Sequence, residues 1–311
     1  MKHSNKLPGI GAALGILVLI LDGTPDGAYN IRANSGLADR RVTENIDIKT
    51  KTDKSGIDII IKPNTKGEKV HIPVIISQTG LKELVYNDFY IGDNADVEIV
   101  AGCGIHNCGD EESRHDGVHT FYVGKNARVV YTEKHFGKAD GKGKSNMNPT
   151  TVINIAEGGY MEMETTQISG VDSTDRKTSA KLSSNATLVI KEKLMTDGTE
   201  TAKTDFTVDL DGENSSANVI SRSVAKDNSY QLFLSRINGN NVCSGHTECD
   251  AIIMGNGKVS AVPEITANHI DASLIHEAAI GKIAGEQLIK LMTLGLSEQE
   301  AEEQIVNGFL K

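Results

Sequence analysis

The chain has 311 residues, enough to bury a full hydrophobic core in one large domain or two smaller ones. It carries 42 acidic and 32 basic residues, and the resulting net charge of -10 makes a nucleic-acid backbone an unfavourable main partner. Aromatic residues make up only 4% and tryptophan is absent, whereas there are 31 glycines, so the core must be built from small and branched aliphatic side chains. This composition suits short stacked strands.

An apolar run, IGAALGILVLIL, occupies residues 10–21. It is shorter than the ~20 residues that a helix needs to cross a bilayer, and no small-x-small cleavage site follows it. We interpret it as part of a buried N-terminal element that extends over residues 1–45, with a targeting signal as the alternative. The chain is therefore expected to have no membrane span and to reside in the cytoplasm.

Strand-like segments begin at about Ile46, and each is closed by Gly, Pro or Asn. A pattern then recurs, because YIGDNADVEIVAG and YVGKNARVVYTEK share an apolar pair, a Gly-x-Asn-Ala turn and an alternating strand. Weaker copies of this pattern begin near residues 153, 182 and 210. The repeat of about 30 residues predicts a β-solenoid, in which each coil buries its inner face against its neighbours. A β-sandwich with ordinary turns is the alternative.

The C-terminal region follows another period. From His269 onward apolar residues fall at helical spacing, Gly295 stops a first helix, and the capping box that begins at Ser297 opens a second. We therefore predict a mainly β protein with a solenoid core over residues 46–267 and a helical C-terminal domain over residues 268–311.

The four cysteines are too few and too far apart for a disulfide scaffold, which favours a reducing compartment. Four thiolates suit a structural zinc site or an iron-sulfur cluster, but the spacings of Cys103 to Cys108 and of Cys243 to Cys249 match no CxxC motif. For any one of them alone, burial as a small hydrophobic side chain is the better interpretation.

The stretch CGIHNCGDEESRHDGVH around the first cysteine pair is rich in possible metal ligands. It contains His106, His115 and His119, and His135 follows shortly after. No standard ligand spacing occurs, so a metal site and a solvated loop with incidental histidines both remain open.

Two further groups of polar residues deserve separate hypotheses. His276 and Glu277 are adjacent but belong to no HExxH motif, which argues against zinc-protease chemistry; in an extended segment both side chains can approach one surface cavity, and an exposed pair is the alternative. Glu162 and Glu164 have the spacing of a carboxylate pair on one strand face, as a carbohydrate-active β-helix enzyme requires. No phosphate-binding loop or serine-nucleophile motif is present.

The segment GHTECDAIIMG over residues 245–255, together with HEAAIGKIAGEQLIKLMTLGLSEQEAEEQIVNGFLK over residues 276–311, resembles the C-terminal signature of the SufB/SufD family of iron-sulfur cluster assembly proteins. The resemblance extends upstream through SRSVAKDN and through Gly102-Cys103. It implies a right-handed parallel β-helix with a helical C-terminal domain. It also implies a scaffold for transient iron-sulfur clusters, not an enzyme, with a SufD-like structural subunit as the alternative.

By position, Cys249, His276 and Glu277 match the family's cluster-ligand candidates and its metal-binding residues. Cys103 matches a cysteine at which a persulfide could enter. The family further implies a SufC-type ABC ATPase as partner, bound largely through the C-terminal domain, and reduced flavin as an additional cofactor. The chain is similar to the short versions of minimal systems, in which a homodimer through the β-helix and C-terminal region replaces the SufB/SufD pair. Ile275 stands where many members carry a carboxylate.

Overall fold

The structure is a computed structural model that describes residues 25–168 and 170–311. In that part of the chain, 20 strands are followed by two helices. The apolar run at residues 10–21 lies outside the described residues, so its interpretation stays a prediction.

The elements have the following bounds. The strands are β1 Ala28–Ala33, β2 Gly36–Arg41, β3 Ile46–Thr50, β4 Gly56–Ile61, β5 Lys66–Ile76, β6 Lys82–Ile91, β7 Asp96–Asn107, β8 Ser113–Val123, β9 Arg128–Ala139, β10 Ser145–Met147, β11 Thr150–Ile155, β12 Tyr160–Gln167, β13 Ser173–Leu182, β14 Thr187–Thr196, β15 Thr201–Leu210, β16 Ser215–Ala225, β17 Tyr230–Gly239, β18 Cys243–Ile253, β19 Lys258–Ala267 and β20 Ala272–Gly281. The helices are α1 Gly285–Thr293 and α2 Glu298–Phe309.

From β4 to β20 successive strands alternate between two sheets, apart from β10 and β11, which both lie in the second sheet. The first sheet has the order β2-β1-β5-β7-β9-β12-β14-β16-β18-β20, and the second runs from β19 through β17, β15, β13, β10, β8, β6 and β4 to β3, with β11 beside β8 and β13. From β5 onward neighbouring strands are parallel and in register, with partners 27 residues apart at Tyr160 and Thr187 and 32 apart at Asp96 and Arg128. The result is a β-solenoid of about eight turns, which confirms the predicted fold class. A sandwich is excluded because its neighbouring strands would be antiparallel.

The core lies between the two sheets and follows from the alternation of buried and more exposed residues along most strands. In β14, for example, Leu188 and Ile190 are fully buried, whereas Val189 between them is only partly buried. In-register stacking then places inward residues of successive coils in continuous columns. Phe89 and Phe121 stack in this way with ring centroids 4.4 Å apart.

Asparagines at the coil corners allow the chain to turn from one sheet to the other. Asn64, Asn94, Asn126 and Asn185 all have φ between 52° and 63°, in the left-handed region that Asn tolerates better than other non-glycine residues. The repeated Gly-x-Asn-Ala motif is therefore the turn signal of the solenoid.

The two ends of the solenoid are finished differently. At the N-terminal end, β1 pairs with β2 and β3 pairs with β4 in antiparallel fashion, which closes the first coil with hairpins. At the other end, β20 pairs with β18 and β19 pairs with β17, and neither has a second neighbour among the residues described. Val262, Ile265 and Ile275 on these last strands are 40% to 53% exposed.

The helices end the chain as predicted, but they begin later. Residues 272–281 form β20, so the helical pattern expected from His269 onward was wrong for this segment; ladder hydrogen bonds to β18 override it. Gly295, with φ of 97°, follows α1, and Ser297 and Glu300 form the predicted capping box of α2. Neither helix is long and apolar enough to cross a membrane, as far as the described residues extend.

The left-handed conformation of Asn126 gives a direct test of the corner geometry. Replacing Asn126 by Val should lower the free energy of unfolding by about 2 kcal/mol, because a β-branched side chain is strained at positive φ. Asn126→Gly should stay within about 0.5 kcal/mol of the wild type, since glycine adopts this conformation freely. Urea unfolding followed by circular dichroism measures both, and equal stability of the two variants would contradict the proposed role of the corner.

Candidate functional site

Cys249 lies on β18 in the last full turn of the solenoid and points inward. It is 1% exposed and stands between Ser221 on β16 and Ala278 on β20 in the same column. Burial, together with the nearby carboxylates Glu192 and Asp250, raises the pKa of its thiol to about 12. Inside the single chain this group is therefore a neutral thiol at physiological pH.

His276 lies on β20 and faces the same interior side. It stands opposite the buried Thr247, so it is a diagonal neighbour of Cys249, with about 8 Å between the two Cα atoms. Its Nδ1 is buried without a hydrogen-bond partner among the residues that the structure describes. Burial lowers the pKa of the imidazole, despite a hydrogen bond with the backbone of Thr247. A neutral ring with an unused nitrogen is the form that binds metals.

Glu277 points to the opposite side of β20, because successive side chains on a strand alternate. Its carboxylate is 67% exposed and lies 3.9 Å from Nε2 of His246. The fold thus places Cys249 and His276 on one side and Glu277 on the other. The expectation that His276 and Glu277 approach one cavity does not fit this geometry within a single chain.

Cys103 lies on β7 and also points inward, beside His135 of the next coil. It is 2% exposed, and burial together with Glu83 and Glu133 raises the pKa of its thiol well above the usual value. Four strands of the first sheet lie between β7 and β18. Because neighbouring strands are spaced by about 4.8 Å, Cys103 and Cys249 are about 24 Å apart along the stack. They cannot hold one metal ion within a single chain.

The interior column that contains Cys249 is polar, and it meets β7 at Ala101, two residues before Cys103. The residues stacked in register toward Cys249 are Glu133, Thr165, Glu192 and Ser221. Glu192 accepts hydrogen bonds from Ser221 Oγ at 2.7 Å and from Thr204 Oγ1 at 2.9 Å. The column is therefore polar up to the position next to Cys249.

Arg176 from the second sheet neutralises this column. Its Nη1 donates to Glu133 Oε2 at 2.6 Å, and its Nε lies 3.9 Å from Glu192 Oε1. Burial favours a neutral Glu133, but Arg176 and two histidines outweigh burial and hold the pKa of Glu133 well below its usual range. Burial raises the pKa of Glu192 in spite of Arg176. The guanidinium is thus paired mainly with Glu133.

No sequence motif singles out Glu133, Glu192 and Arg176. The alternation of residues along β9 could have identified Glu133. In RVVYTEKHF this charged residue lies on the same side of the strand as the core residues Val129 and Tyr131. A charge on the inward side of an alternating strand indicates an interior network that needs a partner from another coil.

The histidines around the first cysteine pair separate into two sets. His115 and His119 point inward, where His115 Nδ1 lies 3.2 Å from Glu83 Oε2 and His119 Nδ1 lies 2.8 Å from the Tyr131 hydroxyl. They are buried on a strand, so the solvated-loop interpretation does not hold for them. His106 is also buried, but it lies near the end of β7 at a coil corner, beside the exposed Cys108 and Asp140.

The carboxylates considered for sugar hydrolysis are engaged in ion pairs. Glu162 lies 2.6 Å from Lys191 Nζ, and Glu164 lies 2.7 Å from Lys193 Nζ, each across to the next coil. The ion pair with Lys191 lowers the pKa of Glu162, whereas a general acid needs a raised one. Glu162 and Glu164 thus form surface ion pairs between neighbouring coils. This arrangement does not support a role as an acid-base pair.

Comparisons with known proteins identify similar chains. A family model described as SUF system FeS cluster assembly, SufBD core domain, matches residues 84–309. An iron-sulfur cluster assembly SufBD family protein of Archaeoglobus fulgidus is 30% identical over 249 residues, which cover 79% of this chain and 66% of that protein. Proteins of the same description from Methanocaldococcus jannaschii and Methanothermobacter thermautotrophicus are each 28% identical, over 81% and 76% of this chain. The alignment spans 79% of the former protein but only 57% of the latter.

The buried His119 predicts a specific pH dependence of stability. Burial lowers its pKa from 6.5 to about 4, so the unfolded chain binds a proton over this interval and the folded chain does not. The free energy of unfolding should fall by up to about 3 kcal/mol from this group as the pH falls from 6.5 to 4. His119→Gln should show a correspondingly weaker decline in urea titrations. Parallel curves for wild type and variant over this range would contradict the assignment.

Thiol accessibility tests the placement of the cysteines. Cys108 is exposed, whereas Cys103, Cys243 and Cys249 are buried. A maleimide should label one thiol in the native, reduced chain and all four in urea, because the buried thiols are shielded. Cys108→Ala should abolish the fast labelling. Rapid native labelling of Cys249, located by peptide mass spectrometry, would show that the last coil is open.

Proposed function

Since the chain belongs to the SufB/SufD family of iron-sulfur cluster assembly proteins, we propose that it is a scaffold subunit on which a nascent cluster is held before transfer. The observation that carries this proposal is the position of Cys249, beside His276 and at the uncovered end of the solenoid. A thiolate binds iron firmly and an imidazole exchanges more readily, which suits a protein that has to release its product. Iron and sulfide are the cargo, and the chain has no catalytic turnover of its own.

A second copy of the chain completes the site in this proposal. Two ligands from one chain are too few for a cluster, and Glu277 faces away from them. The last strands offer free edges together with exposed apolar residues such as Val262 and Ile275, and such edges favour pairing with another chain. A twofold interface at this end would bring two copies of Cys249 and His276 together. Homodimerisation would also cover the apolar surface.

The partner that we assign to the C-terminal helices is a SufC-type ABC ATPase. Helix α1 has no buried residue, although Ile289 and Met292 on it are 62% and 43% exposed, and exposed apolar side chains of this kind mark interaction surfaces. Cys249 is inaccessible and protonated in the closed chain. Loading iron therefore requires an opening of the last coil, and nucleotide binding by the partner would shift that equilibrium.

The interior column supports a role for Cys103 as the point where sulfur enters. Glu133, Arg176 and Glu192 place charged side chains in the interior between the coil of Cys103 and the coil of Cys249, whereas the main core cluster is apolar. A polar interior solvates a charged or strongly dipolar sulfur species better than an aliphatic one. In this proposal Cys103 receives sulfur and Cys249 holds the cluster.

Anaerobic reconstitution with iron and sulfide tests the scaffold role. The wild type should acquire a cluster that is detected by its absorption and Mössbauer spectra. Cys249→Ala should fail to acquire it, because the thiolate that binds iron firmly is gone. Iron counted per subunit should fall to background in this variant. Cys243→Ala is the matched control, since Cys243 lies on the same strand, faces inward and is buried; it should retain the cluster.

Binding of the ATPase separates the scaffold from the alternative. Cys249→Ala should bind a SufC-type ATPase as tightly as the wild type, because Cys249 does not lie on the helices. If neither protein acquires iron although both bind the ATPase, the chain is a SufD-like structural subunit and not the scaffold.

A further inference from the structure

A second group of metal-competent residues lies on the outside of the solenoid, at the corner that follows β7 and β9. His106 Nε2 lies 2.7 Å from Asp140 Oδ2, and Cys108 Sγ lies 3.3 Å from the same nitrogen. The three ligand atoms all lie within 4.8 Å of one another. This is the one group of three or more such residues found within residues 25–168 and 170–311.

The arrangement differs from a hydrogen-bonded catalytic triad. In a triad the acid and the nucleophile contact different nitrogens of the imidazole. Here the carboxylate lies 2.7 Å from Nε2, whereas the thiol sulfur lies 3.3 Å from Nε2 and 3.7 Å from Nδ1, so the thiol and the carboxylate are not divided between the two nitrogens. As an N–H, Nε2 can donate to only one of them. One thiol, one imidazole nitrogen and one carboxylate oxygen within 4.8 Å of one another form a mixed donor set that a single metal ion can bind. Ligand atoms around a tetrahedral ion are about 3.4 to 3.6 Å apart, so the distances from His106 Nε2 to Asp140 Oδ2 and to Cys108 Sγ would each increase by less than about 1 Å.

The backbone holds these side chains in place. Cys108 and Asp140 occupy equivalent positions directly after neighbouring strands, and Asp140 N donates to Asn107 O at 3.0 Å. The fully buried Asn107 donates from Nδ2 to the carbonyls of Glu111 and Lys144, which ties the two corner loops together. The loops pack so closely that a Cβ at Gly141 would lie 2.2 Å from the carbonyl oxygen of Gly109. A preorganised site of this kind loses little entropy when it binds an ion.

Exposure and charge also fit a cation. His106 is 4% exposed and has its ring fixed, whereas Cys108 and Asp140 are exposed and leave an approach from solvent. A thiolate and a carboxylate supply two negative charges for a divalent ion. Lys138 Nζ lies 3.6 Å from Asp140 Oδ1, so it contacts the oxygen that does not face His106.

We propose that His106, Cys108 and Asp140 bind one divalent transition-metal ion of borderline softness, such as Zn²⁺ or Fe²⁺. Sulfur, nitrogen and oxygen ligands in one site suit these ions better than Mg²⁺ or Ca²⁺. Three protein ligands leave a fourth position for water or a small ligand. The site lies on the outer surface, four strands of the first sheet away from β18, and is independent of the cluster proposed at Cys249.

Metal titration in a Cys249→Ala background tests this site without the other one. Under reducing, anaerobic conditions this variant should bind one equivalent of Zn²⁺, measured by calorimetry. It should also bind one equivalent of Fe²⁺, and the two ions should compete for the same site. Co²⁺ should give a thiolate-to-metal charge-transfer band. Adding Cys108→Ala should remove this band and weaken Zn²⁺ binding by at least about 100-fold, since loss of outer-shell partners alone costs 10- to 100-fold.

Two further variants complete the design. Cys243→Ala in the same background is the matched control and should keep the full equivalent. Asp140→Asn keeps the shape of the side chain but not its charge, and should weaken binding at least about tenfold. The proposal is overturned if the Cys249→Ala protein binds no equivalent, or if the equivalent and the cobalt band persist without Cys108. Unchanged circular dichroism spectra establish that each variant is folded.

Discussion

In-register parallel stacking of the coils is the constraint on which the rest of this structure depends. Each residue of a strand lies directly against the equivalent residue of the coils before and after it, so side chains of one kind form columns. A column of apolar side chains can pack without any specific partner from the opposite sheet. A charged residue in an inward column is enclosed by its own stack and by the opposite sheet, and it must find its partner there. Glu133 finds it in Arg176, which the second sheet supplies from 43 positions further along the chain. Removing one member of such a buried pair leaves an uncompensated charge, which typically costs about 3 to 5 kcal/mol.

The same stacking determines where a site can form. A solenoid buries the edge of every strand except those of its first and last coils. At the N-terminal end the terminal strands β2 and β3 belong to antiparallel hairpins, whereas at the C-terminal end β19 and β20 are parallel strands; each of the four has one neighbour among the described residues. The candidate ligands Cys249 and His276 lie on the last two strands of the first sheet, at the C-terminal end. Their place in the stack, more than their spacing in the sequence, makes them suitable for a site shared between two copies.

Protonation distinguishes the interior of the solenoid from its outer surface. Burial raises the pKa of the Cys103 and Cys249 thiols, and metal binding needs thiolates. For the proposed role, Cys249 has to lose its proton and become accessible before it can bind iron, and an opening of the last coil would allow both. Cys108 at the outer corner is exposed, and His106 beside it is held by Asp140. The solenoid thus keeps the Cys103 and Cys249 thiols protonated and shielded inside, whereas the Cys108 thiol at the outer corner is accessible to solvent.

The repeat, the turns and the family can be recognised from the amino-acid sequence alone. The Gly-x-Asn-Ala motif predicted turns, the alternation predicted strands, and the capping box at Ser297 predicted a helix, because each is a local preference of the backbone. Cys249, His276 and Cys103 were identified from family motifs, although their roles remain predictions. Tertiary structure alone decided that residues 272–281 are a strand, because their hydrogen bonds come from β18. It also decided that Glu277 faces away from His276, that Glu133 meets Arg176, and that Asp140 joins His106 and Cys108. These contacts depend on which residues of separate coils lie side by side, and a shift of one residue in strand register would reverse the side on which each one points.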